Sequence, residues 1–349
     1  MKKRIISILL ASAMTLSLAA CSGGGGSAGT PAPTSGGGAA TPAPVSADAV
    51  HLSLGHTNNL DHHYQTLSED FKEKVEAATN GAVVIDIYPA EQLGSGLEQL
   101  ESVKSGTQDM VLDPDAYLAN YDPIFNAIGL PYMFDSWDQI KAFPDSEAAK
   151  TLEAAAEAQG MVILGWAANG FRVTTSKTEI NTPEDLHGLK IRVGSDKLKN
   201  DMITALGASP TSLSMSDTYN GIQTGIVDGQ ENPTSNIIGS KFYEVQPYLA
   251  VTHHQYVSEP LVMNKAKFDS LPAEVQEALL AVGKEVCAAD VEYCAGSEES
   301  DLEFIASNDV TVTYPDLEAF KAILSPLVDT YCQENGEEFT KLVEQLKNM

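Results

Sequence analysis

Asp113 and Asp115 stand two residues apart, just beyond a short apolar run that ends at Leu112. Paired carboxylates at this spacing can work as acid and base, or accept hydrogen bonds from hydroxyls or an ammonium. An Asp-Pro-Asp turn facing solvent is the plain alternative. Arg172 and Arg192 each fall within a strand-like run. A guanidinium offers a planar pair of donors that matches a carboxylate, which an ammonium does not. Spacing alone leaves ion pairs with the chain's many acids equally open. Five histidines invite a metal reading: His56, His62, His63, His253 and His254. Adjacent histidines project in different directions, and no helical H-x-x-x-H or Cys/His spacing is present, so no metal site is expected. His56, beside a strand end at Gly55, is the one placed to touch a ligand. Cys287 and Cys294 lie on one expected helix, roughly 10.5 Å apart along its axis, too far for a disulfide. Cys332 could reach one of them, but buried free thiols are expected. The chain contains no G-x-S-x-G, Walker or dinucleotide motif.

Composition narrows the function classes. The 349 residues are 43% hydrophobic and 20% charged, with 21 Lys+Arg against 48 Asp+Glu. That is a globular composition. A net charge of −27 argues against nucleic acid or an anionic membrane surface as partner, since both reward clustered cations. Lys2, Lys3 and Arg4 precede an apolar run from Ile5 to Ala20, shorter than the roughly 20 residues a spanning helix needs. This reads as a secretory leader, 1–20. Leu18-Ala19-Ala20-Cys21 resembles a bacterial lipobox, which makes Cys21 the expected lipidation site and attaches the chain to the outer face of the cell membrane. Two acyl chains give stable anchoring where one does not. Loss of the leader's three cations would take the net charge from −27 to −30. Residues 21–48, almost all Gly, Ser, Ala, Thr and Pro after the cysteine, read as a tether.

From residue 49 onward, strand-like and helix-like runs alternate. Val50, Leu52 and Leu54 alternate with polar neighbours, and residues 82–88 are rich in β-branched side chains. Leu67, Phe71 and Val75 recur at helical spacing within 61–79, with Asp61 as the expected cap. Further helices are expected near 95–105, 146–159, 196–206, 216–225, from Pro272 to about Ile305, and over 317–347. Thr182-Pro183-Glu184 has the look of a helix start. Strands are expected at 110–112, 161–166, 171–175 and 189–193, and a long apolar segment covers 249–264. The alternation implies an α/β class with largely parallel sheets. Three hundred residues exceed what one core usually serves. Two lobes with a hinged cleft follow, joined by crossing strands or helices because no Gly/Ser linker divides 49–349.

Several stretches then fall into a shared order and spacing. They are Tyr88-Pro89 with Gln92-Leu93-Gly94; Gly106-Thr107-Gln108-Asp109-Met110; Leu130-Pro131-Tyr132-Met133-Phe134; and Gly165-Trp166 with Asn169-Gly170-Phe171-Arg172. Thr182-Pro183-Glu184-Asp185-Leu186 follows, leading through Gly188 to Leu189-Lys190-Ile191-Arg192-Val193. Tyr219 and the run from Gln223 to Pro233 (QTGIVDGQENP) come next, then Lys241-Phe242-Tyr243-Glu244-Val245. Together they resemble the solute-binding proteins of tripartite ATP-independent periplasmic (TRAP) transporters, of the DctP type. The resemblance implies a two-lobed periplasmic-binding-protein fold, a ligand cleft between the lobes, and a long helix spanning both. It also implies capture of a small organic acid and delivery to a membrane permease.

Carried over residue by residue, Arg192 matches the carboxylate-clamping arginine and Arg172 a second arginine near the same pocket. Asn232 matches an amide donor to the carboxylate, and Asn169 belongs to the motif of Arg172. Trp166, Tyr219 and Tyr117 are candidate apolar walls. Met215 stands where many relatives carry an aromatic residue, which suggests a softer wall. Asp113 and Asp115 occupy the stretch that reads the distal part of the ligand, and a carboxylate there favours a hydroxylated monoacid over a dicarboxylate. The expected lobes are 49–169 plus about 258–297, and 170–257 plus about 298–349. No catalysis, cofactor or nucleic acid is expected, and a monomer is. Two rivals remain: a protein that presents its ligand to a sensor kinase or ATP-driven importer, and a secreted lyase or hydrolase built on Asp113 and Asp115.

Overall fold

A computed structural model describes residues 49–349. The leader, Cys21 and the tether lie outside the described residues. The chain opens with β1 (Val50–His56), α1 (His63–Ala78), β2 (Val83–Tyr88), α2 (Gly96–Ser105) and β3 (Met110–Leu112). Two short 3-10 turns, α3 (Trp137–Ala142) and α4 (Glu147–Ala158) lead to the long β4 (Met161–Phe171). Next come β5 (Val173–Ser176), β6 (Lys190–Val193), α5 (Lys197–Ala205), β7 (Ser209–Ser212), α6 (Met215–Gln223), β8 (Gly229–Asn232), α7 (Thr234–Gly239) and β9 (Tyr248–Ala250). The chain returns through β10 (Tyr256–Asn264) to α8 (Lys265–Asp269), α9 (Ala273–Ala306), β11 (Thr311–Thr313) and α10 (Leu317–Lys347).

The strands form two sheets, ordered β2-β1-β3-β10-β4 and β11-β9-β5-β8-β6-β7. The fold is α/β and two-lobed, with one sheet in each lobe. The sheets are mixed rather than largely parallel. β10 runs antiparallel to β3 and β4, and β5 runs antiparallel to β8 and β9. The physical reason is the crossing: β4 passes into β5, and β9 into β10, without the helix that a parallel crossover requires. The apolar segment 249–264 therefore splits in two, with His253 in a left-handed conformation (φ 41°) between β9 and β10.

Local signals explain most boundaries. Tyr64, Leu67, Phe71 and Val75 form the buried face of α1, whose cap is His62 rather than Asp61: the Tyr64 amide donates to His62 Nδ1 at 3.3 Å. Ser95 and Glu98 close a capping box on α2, and Gly106 ends it at φ 80°. The Thr182-Pro183-Glu184 start yields a single 3-10 turn, Pro183–Leu186, boxed by Thr182 and Asp185; the chain leaves it through Gly188 at φ 78°.

Helix α9 has 34 residues, hence about 51 Å of length. It presses on β4, ten of whose eleven residues are buried. A Cβ at Gly165 would lie 2.5 Å from the Gly283 carbonyl oxygen, and one at Gly283 would lie 2.6 Å from that of Leu164. Only glycine permits that approach of helix to strand. Helix α10 packs on both α4 and α5, so Phe320, Leu324 and Phe339 share one apolar core with Trp166 and with Ile191 and Leu198. Cys287, Cys294 and Cys332 are free thiols, the first two buried. No helix among the described residues is long and apolar enough to cross a membrane.

Candidate functional site

The carboxyl ends of β1, β2 and β3 in one sheet and of β6, β7 and β8 in the other converge on a cavity of about 70 Å³. Open α/β sheets place ligands at such strand ends because the loops there supply polar groups on a rigid base. From the first sheet come Asn58, Glu91, Ser95, Asp113 and Tyr117, with Asn169 and Arg172 from the end of β4. From the second come Arg192, Ser195, Lys199, Met215, Asn232 and Asn236. Two larger grooves of about 670 Å³ lie elsewhere on the surface, one between α4 and α10 and one beside the end of α9. Neither contains a buried arginine.

Arg192 is 5% exposed at the end of β6. Its Nε and Nη2 donate to the Leu213 carbonyl at 3.0 and 2.6 Å, which fixes the guanidinium plane; among the described residues Nη1 has no hydrogen-bond acceptor. Burial pulls its pKa down, against the pull of Tyr117 and Glu231. Arg172 is held by the Glu231 carboxylate, by the Glu231 carbonyl and by Asn232 Oδ1. His254 Nε2 lies 3.3 Å from the same carboxylate. Burial works against the Glu231 charge, but Arg172 and His254 outweigh it and hold this carboxyl down at about 2. Asn232 Nδ2 donates to Gln230 Oε1 at 2.6 Å, and Asn169 Nδ2 to Glu259 Oε1 at 3.0 Å. Lys199 pairs with Asp196 at 2.6 Å, both buried.

The opposite end is acidic and under-satisfied. Asp113 is 3% exposed, and neither of its carboxyl oxygens has a hydrogen-bond partner. It rests on Gly96 at the start of α2, where a Cβ would stand 2.0 Å from its Oδ2. Burial, followed by the nearby Glu91, raises its pKa well above the usual carboxylate range, with Lys199 opposing. Glu259 is raised by burial and then by Asp113. The Tyr64 hydroxyl and Glu259 Oε2 face each other without closing to a hydrogen bond. Glu91 reaches across the cleft: its two oxygens accept the Met215 and Ser216 amides of α6, each at 3.3 Å.

Seven of the residues singled out from the sequence meet at this cavity: Arg192, Arg172, Asn232, Asn169, Asp113, Tyr117 and Met215. Four do not line it. Trp166 lies against α4, because its indole N–H donates to Glu153 at 3.0 Å and its ring meets Phe143 edge-on. Tyr219 turns outward, its hydroxyl donating to Glu244 at 3.2 Å. His56 is buried beneath the wall with Nε2 against Gln65 at 3.0 Å. Asp115 is buried beside the cavity, where burial lifts its carboxyl to about 7 against the pull of Lys199. The sequence reading missed Lys199, Tyr64, Asn58, Asn236 and Glu91. Lys199 pairs three residues from Asp196 at a helix start, which looks like any surface pair, and Tyr64 belongs to the apolar stripe of α1.

Residues 54–335 match the family model described as bacterial extracellular solute-binding protein, family 7. The C4-dicarboxylate-binding periplasmic protein DctP of Rhodobacter capsulatus is 34% identical over 280 residues, covering 77% of this chain and 82% of that protein. Among solved structures, a TRAP periplasmic solute-binding protein from Sulfitobacter sp. NAS-14.1 with bound β-D-galacturonate superposes at TM-score 0.82. It shares 29% identity, with 86% of this chain and 100% of that chain covered. A second, from Polaromonas sp. JS666 and bound to D-erythronate, gives TM-score 0.81 at 27% identity, with 85% and 98% covered.

Proposed function

This chain belongs to family 7 of the bacterial extracellular solute-binding proteins and captures a small organic acid outside the cytoplasm for a TRAP-type permease, and we propose that the acid is a hydroxylated monocarboxylate clamped by Arg192. The observation that carries the proposal is Asp113, a buried carboxyl with both oxygens unpartnered, facing the same cavity as the Arg192 guanidinium. A buried polar group without a partner is costly, so a ligand that supplies one gains affinity there. Burial favours the neutral form of Asp113, which could donate as well as accept and so suits a hydroxyl; a second ligand carboxylate would meet like charge from Glu91. The ligand carboxylate belongs at Arg192, with Asn232 and Arg172 completing that end. Arg172 is so committed to Glu231 that its main part is to hold Asn232. Tyr117 and Met215 form the softer walls, and Trp166 and Tyr219 lie outside the contact set.

Binding proceeds without turnover in this reading. The rival hydrolase or lyase needs Asp113 and Asp115 at one reacting centre, whereas Asp115 does not line the cavity. A charge near −30 repels an anion at long range, but the Debye length of about 8 Å in physiological salt hides most of that field inside the cleft. The body is proposed to be a monomer, attached by a lipid on Cys21 and closing as a hinge. Its lobes are 49–169 plus about 258–297 and 170–257 plus about 298–349, with α10 packed across both.

A thermal-shift panel of D-galacturonate, D-glucuronate, galactonate, D-erythronate and succinate tests the ligand class. A hydroxylated monoacid should raise the melting temperature most; succinate ahead of all four would overturn the proposal.

A further inference from the structure

The pairing of β4 with β10 breaks register where the lobes meet: Val257 faces Gly170, but Ser258 faces Ala168. Asn169 is therefore the extra residue of a bulge, and Gly170 beside it takes φ 115°. Bulges re-aim side chains and leave backbone groups without their ladder partners. Here the partners come from α9. Asp290 Oδ2 accepts the Ala168 amide at 3.2 Å, and the Cys294 thiol donates to the Ala168 carbonyl at 3.5 Å. Asp290 is itself held by His63 of α1, whose Nδ1 donates to its Oδ1 at 2.6 Å. All three side chains are buried. A second register shift, between Leu261 and Val262, coincides with the contact of Gly165 against Gly283 and Cys287. Gly283, Cys287, Asp290 and Cys294 thus form one stripe of α9 keyed to both irregularities of β4.

We propose that Asp290, steadied by His63, is a positioning residue for ligand binding: it fixes the bulge that sets Asn169 in the cleft. A carboxylate buried in mid-helix is expensive unless it is paired and hydrogen-bonded, and its partners here are a backbone amide at the bulge and a histidine from the helix that supplies Tyr64 to the same cavity. The effect on affinity rests on the cleft being the ligand site; the effect on the bulge does not.

Amide hydrogen exchange and calorimetry with D-galacturonate on the full chain test it. In Asp290→Ala, exchange at Ala168 and Asn169 should quicken by on the order of tenfold while Ile163–Gly165 stay protected. Asp290→Asn, which keeps an acceptor for the Ala168 amide, should restore protection. Affinity for D-galacturonate should fall roughly tenfold in Asp290→Ala, and not further when Asp290→Ala is added to Asn169→Ala, because the two act through one path. Unchanged exchange in Asp290→Ala, or losses that add in the double variant, would overturn the proposal. If wild type binds neither D-galacturonate nor any other acid of the panel, the cleft assignment fails instead, and the exchange data still judge the bulge.

Discussion

Replacing Arg172 with alanine should destabilise the protein in a way that depends steeply on pH. The Glu231 carboxylate is 1% exposed and takes its bidentate partner from Arg172, with the His254 ring at 3.3 Å as a further neighbour whose own charge is disfavoured by burial. Held at about 2 against an ordinary 4.5, it contributes about 3 kcal/mol of stability at neutral pH, at about 1.4 kcal/mol per pH unit. Because this pKa is lowered on folding, the contribution is complete above 4.5 and drains away as pH falls toward 2. Urea unfolding of wild type and Arg172→Ala, followed by circular dichroism at pH 7, 5, 4 and 3, should show a loss of about 3 kcal/mol at pH 7, consistent with breaking a buried pair. The gap should narrow below pH 4.5. Glu231→Gln added to Arg172→Ala should recover much of the loss, since no buried charge is then stranded. A pH-independent loss, or one under about 1 kcal/mol, would refute the reasoning.

Asp115 should behave with the opposite sign. Its carboxyl is lifted from 3.8 to about 7, so stability is highest below 3.8 and is lost as pH rises through 7. Asp115→Asn should gain over wild type progressively from pH 4 to 7, by roughly 2–4 kcal/mol at the plateau, read from urea midpoints. Asp113→Asn should relax discrimination against dicarboxylates, so that the melting shift with succinate approaches that with D-galacturonate. Glu91→Ala removes two contacts across the cleft; stopped-flow release of bound acid should quicken by roughly threefold to tenfold as the closed state loses population.

Some of this architecture could be read directly. The β-branched run of β2 and the long helical stretch of α9 that begins after Pro272 are legible from residue type and length. Arg192, Arg172, Asn232 and Asn169 could be placed because their motifs keep a fixed spacing. Trp166 could not, because β4 is buried on both faces, so a period of two does not say which face meets the cleft. Strand direction is not a local property either, and the antiparallel return of β10 depends on how two sheets share one crossing. The Asn169 bulge leaves no trace in hydrophobic pattern. Its anchor, Asp290, stands in sequence among other acids of a long helix and is distinguished only by what it touches.

Calorimetry of Arg192→Ala beside wild type, each titrated with the acid that wild type binds best, decides whether a guanidinium clamp underlies capture. Affinity should fall by about 2–5 kcal/mol, roughly thirtyfold or more, since a ligand carboxylate would be left buried and unpaired. Wild-type affinity in that variant would contradict the assignment of Arg192 and the acid-capturing role of the cleft.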